Sequence, residues 1–236
     1  MTKKIKFHAK NDLAYQTLKP YSPAKNYIPD WYKNSELWVG GNKPTYTTEG
    51  YPFKSVKQCM PFLDTLTSGY ILELWQDIRV VKDYRGSTLV NWFDSTFNPV
   101  EKRHPEVAPL VPAPLGCTTE QFTWRIPFGL ETPPGYSVLY SHPFNRFDLP
   151  FVTLTGIIDA DETMVPGGNV PFFFSKDFEG IIPMGTPIAQ IIPFKRDDWK
   201  SEIINDEVNY QSKIFNIGRV LNGAYRKKSW KKKKFD

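Results

Sequence analysis

Two carboxylates and one polar loop hold the residue types best suited to chemistry in this chain. Asp159 and Asp161 stand two apart in TGIIDAD. On an extended strand, residues two apart share a face. Carboxylates paired in this way can hold Mg²⁺ through waters, or poise one of them as a general base. The plainer alternative is an Asp in the turn after a strand, bonding to its own backbone. The second group is SHPFNRFD, where His142, Asn145, Arg146 and Asp148 fall in one proline-bounded loop. Polar loops of this density often bind ligands. Arg146 and Asp148 can also simply pin the loop to itself.

Other chemistries find little support. The three histidines, His8, His104 and His142, show no ligand spacing. Cys59 and Cys117 have no partner nearby and form no CxxC motif, so no zinc or two-His iron site is expected. Ser141 and His142 are adjacent and would point to opposite faces of a strand, which argues against a hydrolase triad. There is no GxSxG elbow, GxxxxGK[ST] loop or GxGxxG loop. Each cysteine is expected to be a buried thiol in a reducing compartment.

Charge is concentrated at one end. Residues 225–236 hold seven of the 30 basic residues and one of the 25 acids, a net +6. The remaining 23 basic and 24 acidic residues give a net −1. Arg226, Lys227, Lys228, Lys231, Lys232, Lys233 and Lys234 are therefore candidates for contact with nucleic acid or another polyanion. A solvated, frayed terminus is the alternative. No apolar run approaches the ~20 residues needed to span a bilayer. The basic N-terminus has no hydrophobic stretch behind it, so a soluble cytoplasmic product is expected.

The elements that must position these residues are mainly strands. The 21 prolines are spread along the chain and favour a loop-rich β protein with short helices. Residues 1–54 read as an irregular, aromatic-rich arm, with one helical turn opened by Pro29. Ser55 and Gln58 form a capping-box pattern for a helix over 55–68, with a kink or short first turn at Pro61 and an end at Gly69. YILELW, IRVV and STLVNWF read as a hairpin or meander with a turn at Asp83–Gly86. Residues 99–116 carry five prolines and form an extended connector. Strands then follow closely in QFTWRIPF, YSVLYS, LPFVTLTGII, VPFFF and PIAQIIPF. Together, 55–196 form a β domain. Residues 197–236 read as a C-terminal amphipathic helix holding Val208, Ile214, Ile217, Val220 and Leu221, followed by the basic tail.

The order of PPGYSVLYS, SHPFNR, TGIIDAD and GTPIAQIIPF over 133–192 resembles the dUTPase and dCTP-deaminase superfamily. The resemblance implies a β-clip or distorted jelly-roll core over 121–196. It also implies a trimer with nucleotide sites between subunits, Mg²⁺ as cofactor and Asp159 as the carboxylate orienting the attacking water. Three features depart from that pattern. Glu162 replaces the aromatic that stacks on the sugar, and His-Pro-Phe-Asn replaces the Arg-Ser-Gly phosphate motif. A lysine tail stands in place of the Gly-rich closing arm. Without phosphate grip and lid, little remains to position a nucleotide.

The whole chain is also similar to a family of proteins encoded by tailed bacteriophages, often those of marine bacteria. The similarity lies in KQCMPFLDTLTSGY, TPPGYSVLYSHPFNRFDLPF and PIAQIIPFKR. Three readings follow. The first is a non-enzymatic virion structural or capsid-associated (decoration-type) protein, needing no cofactor, made in the host cytoplasm and packed with itself or other virion proteins. The second is a Mg²⁺-dependent nucleoside-triphosphate hydrolase or deaminase of the dUTPase type. The third is a nucleic-acid-associated protein acting through the tail.

Overall fold

A computed structural model describes residues 3–19, 21–48, 50, 52–107, 110–162, 168–214 and 225–236. The fold is mainly β, with several antiparallel sheets and few helices. In chain order the first elements are β1 (Lys6–Ala9), α1 (Asp12–Thr17), β2 (Tyr21–Pro23), α2 (Asp30–Lys33) and α3 (Met60–Thr67). There follow β3 (Tyr70–Glu73), β4 (Ile78–Lys82), β5 (Thr88–Trp92), β6 (Val100–Lys102), β7 (Cys117–Arg125), β8 (Phe128–Glu131) and β9 (Tyr136–Ser141). The last are β10 (Phe151–Thr153), β11 (Gly156–Ile158), β12 (Asn169–Ser175), β13 (Gly180–Ile182), β14 (Pro187–Lys195) and α4 (Glu207–Ile214). The chain divides into two compact units, 1–27 with 69–196 and 28–68 with 197–236.

All of these strands lie in the first unit. Among the described residues they form four antiparallel sheets, ordered β1-β8, β10-β12-β7-β6, β11-β9-β14-β3-β2 and β13-β4-β5. The core is aromatic and β-branched. Trp124 and Phe172 stack with centroids 3.7 Å apart, and Phe122, Phe151 and Phe174 surround them edge-on or tilted. Leu72, Ile78, Val138, Ile188 and Ile191 complete the same cluster, all fully buried. Phe173 points to the other face of β12 and is also fully buried, so this strand is covered on both sides. That double cover explains its unbroken apolar run.

Residues 3–27 depart from the irregular arm expected of 1–54. They supply β1, α1 and β2, and β2 closes the five-stranded sheet beside β3. Strands of four and three residues are too short to show a period, and their pairing comes from distant partners. Phe7 stacks on Tyr21 at 4.0 Å, and Tyr21 meets Phe128 edge-on. The expected turn after Pro29 is present as α2.

The helix expected over 55–68 is broken in two. Ser55 caps a 3₁₀ turn over Val56–Gln58, accepting from the Lys57 N–H at 3.2 Å. α3 then starts afresh, with Pro61 in its first turn, where the missing N–H costs nothing. No kink is needed. Gln58 donates to the Leu37 carbonyl instead of closing a capping box. The cysteines are also not buried: Cys59 is exposed and Cys117 half-buried, both free.

At the other end, no regular structure begins at Trp199, and the helix of the described residues is α4, opened by Asp206. Every residue of α4 is exposed. Ile217, Val220 and Leu221 lie outside the described residues.

Gly69 marks the tightest approach in the first unit. Its φ is +73°, and a Cβ there would lie 2.0 Å from the Ile191 carbonyl oxygen. Gly86, in the β4–β5 turn at φ +81°, has open space around it. Gly86→Ala should cost only the left-handed penalty of about 1–2 kcal/mol. Gly69→Ala adds a backbone clash and should cost about 2–5 kcal/mol in denaturant unfolding. Equal losses would show that the Gly69–Ile191 approach is not a constraint.

Candidate functional site

The two aspartates do converge, and strand register explains how. β11 pairs with β9 so that Ile158 faces Val138, which carries the next residue, Asp159, to Ser137. β14 pairs with the other edge of β9, Lys195 facing Tyr136, and the Arg196 N–H donates to the Gly135 carbonyl at 2.9 Å. Arg196 therefore arrives at the same end of the sheet as both carboxylates.

Arg196 grips Asp161 with two parallel bonds, Nη1 to Oδ1 at 2.7 Å and Nη2 to Oδ2 at 2.5 Å. Oδ2 also accepts the Gly135 N–H at 2.7 Å. Nη1 reaches Asp159 Oδ1 at 3.3 Å, and the same oxygen accepts from the Ser137 hydroxyl at 2.5 Å. The Asp161 side chain is 3% exposed, against 62% for Asp159. The Arg196 hydrogen bonds outweigh the cost of desolvation and hold the Asp161 carboxyl down at about 2. A carboxylate so firmly ionised is a weak proton acceptor at neutral pH. These residues do not fit a Mg²⁺ site, because a guanidinium already provides the positive charge between the carboxylates. The clamp thus ties the turn at 133–136, the end of β11 and the end of β14 together.

The loop 142–148 is pinned from within. His142 Nε2 lies 2.9 Å from the Arg146 carbonyl, which can only accept, so Nε2 carries the proton. Nδ1 then accepts the Thr153 N–H at 3.3 Å. Burial pushes the imidazole below its ordinary value, which favours this neutral form. Arg146 forks onto Asp148, Nε to Oδ1 and Nη2 to Oδ2, both at 2.8 Å. That bond lowers the Asp148 carboxyl. Asn145 takes a φ of +59°, the left-handed conformation that Asn tolerates in turns. The Phe144 N–H donates to Gln190 Oε1 at 2.9 Å and fastens the loop to β14.

The two polar groups do not share a pocket. The clamp sits at the first residues of β9, and the loop follows its last. Five residue steps separate Ser137 from His142, roughly 16 Å at strand rise. The other histidines are apart again: His8 bonds Glu131 at 2.9 Å, and His104 is exposed.

One cleft escaped the sequence altogether. It has a volume of about 890 Å³, within the range of ligand sites. Trp92, Phe97 and Ile126 supply its apolar surface; Lys10, Lys102 and Arg125 supply cations. Two of those cations are already answered, Arg125 by Glu101 and Lys102 by Glu120. Its walls come from three distant stretches of chain, so no local motif marks it.

The basic tail is placed in the second unit. Arg226, Lys227, Lys228, Lys231, Lys232, Lys233 and Lys234 are all exposed. The indole N–H of Trp230 bonds both oxygens of Asp64 on α3, at 3.1 and 3.0 Å. Lys233 donates to the same carboxylate at 2.5 Å.

No family model matches the chain, and no curated protein shows significant sequence similarity to it. Among the described residues no helix is long and apolar enough to cross a membrane.

The clamp has a pH signature. The Asp161 carboxyl is lowered from 3.8 to about 2, so its stabilising effect is complete above pH 4 and is lost as pH falls toward 2. Asp161→Asn should lower the unfolding midpoint at neutral pH and flatten its acid dependence between pH 4 and 2. An unchanged acid profile would mean that Asp161 is not clamped.

Proposed function

We propose that this chain is a non-enzymatic phage protein, a virion structural or capsid-associated component of the decoration type. Its β body is best described as a dUTPase-like scaffold of the β-clip or distorted jelly-roll kind. The observation that carries this reading is Arg196 lying between Asp159 and Asp161. In a dUTPase-type enzyme, Asp159 would orient the attacking water. Here its Oδ1 holds Ser137 and Arg196, and its partner Asp161 is locked into the sheet end. The polar loop is closed on itself at the far end of β9, where it cannot complete a site with Asp159. TGIIDAD and PIAQII, which carry the family resemblance, therefore serve here to join strands.

Assembly is supported by the segment after Arg196. Trp199, Ile203, Ile204 and Val208 are each at least 71% exposed. Large apolar groups gathered in one exposed stretch suit burial against other subunits. A homo-oligomer, a trimer by the family resemblance, or packing with other virion proteins would provide that cover. The protein would be made in the host cytoplasm and carried into the particle.

Mass spectrometry of purified phage particles should find the chain at a stoichiometric level, and its absence from particles would reject the virion assignment. A panel of deoxynucleoside triphosphates with Mg²⁺ should show no turnover by the purified protein. Turnover abolished by Asp159→Asn would instead establish the dUTPase-type enzyme.

A further inference from the structure

The C-terminal tail is ordered by a specific latch, and the latch divides its seven cations into two kinds. Asp64 is 14% exposed on its helix, and both its oxygens are bonded by Trp230, with Lys233 on Oδ2. The backbone N–H of Trp230 donates to the Tyr225 carbonyl at 2.8 Å and closes a single π turn over Tyr225–Ser229. A frayed terminus makes no such set of bonds. Lys233 is thus neutralised by a carboxylate distant in sequence. Arg226, Lys227, Lys228, Lys231, Lys232 and Lys234 are exposed and have no acidic partner among the described residues.

We propose that this latched tail is a binding surface for the phosphate backbone of nucleic acid. Six unanswered cations on a short ordered segment match a polyanion of closely spaced phosphates. The latch holds them in place before contact, which reduces the ordering cost of binding. Trp230 and Phe235 are half-buried, and the Trp230 N–H is already bonded, so these rings are poorly placed to stack on bases or enter a membrane. The contact is therefore with phosphates, indifferent to sequence and strongly salt-dependent. Asp64 is a positioning residue in this scheme. The inference is independent of the virion assignment, since it concerns the second unit alone.

The test is binding of the full chain to a short fluorescent DNA duplex of arbitrary sequence across a salt series. With six phosphates engaged, log Kobs should fall against log salt with a slope of about −5. Lys231→Gln and Lys232→Gln should each reduce that slope by about 0.9. Lys233→Gln should leave it unchanged, because Lys233 is already paired. A duplex of scrambled sequence should bind equally. If Lys233→Gln acts like its neighbours, the tail is a frayed charge run and the latch is refuted. Absence of salt-sensitive DNA binding, or binding to phosphatidylserine vesicles without DNA, would overturn the nucleic-acid assignment.

Discussion

The ladder that β14 forms with β3 on one side and β9 on the other is the constraint on which the first unit rests. It joins chain segments that are far apart in sequence, and it sets the register from which everything nearby is placed. Gly69 has to be a glycine because β3 enters that ladder hard against the Ile191 carbonyl. Arg196 meets the two aspartates because β14 ends level with the start of β9. Gln190, in the middle of the same strand, fastens the polar loop at the opposite end. One strand thus positions both groups that the sequence marks as chemical, and keeps them apart.

That arrangement changes what the polar residues mean. Asp159 and Asp161 look like a metal or general-base pair while only their spacing is known. With Arg196 between them they become a charge-compensated joint. The same holds for His142, whose two ring nitrogens are both bonded within the fold, and for Arg146, whose guanidinium is forked onto Asp148. Each of these groups is satisfied by its own chain.

Much of the β body was legible in the sequence. Alternation and turn residues marked the β4–β5 hairpin, with its turn at Asp83–Gly86, and most strands of 121–196, although QFTWRIPF divides between β7 and β8 and LPFVTLTGII between β10 and β11, each in a different sheet. Pro29 marked α2. The strands that were missed, β1, β2, β6, β8 and β13, have three or four residues each and depend on partners elsewhere in the chain; β6, inside the 99–116 stretch expected to be a connector, pairs with β7. A helix starting at Ser55 would put Pro61 in its interior, whereas the start at Met60 puts it in the first turn; a 3₁₀ turn takes up the difference. The aspartates were legible as candidates, but Arg196 was not, since its partnership exists only through the register of three strands. The Asp64 latch was hidden for the same reason: nothing local in α3 or the tail points to the other.

The central claim is that Asp161 and Arg196 act as one structural joint. A double-mutant cycle in denaturant unfolding tests it most directly, using Asp161→Asn, Arg196→Gln and the two combined. The account predicts that each single substitution lowers the midpoint and that the double variant is little worse than either. Losses that simply add would contradict it, because they would mean that the two side chains contribute to the fold independently.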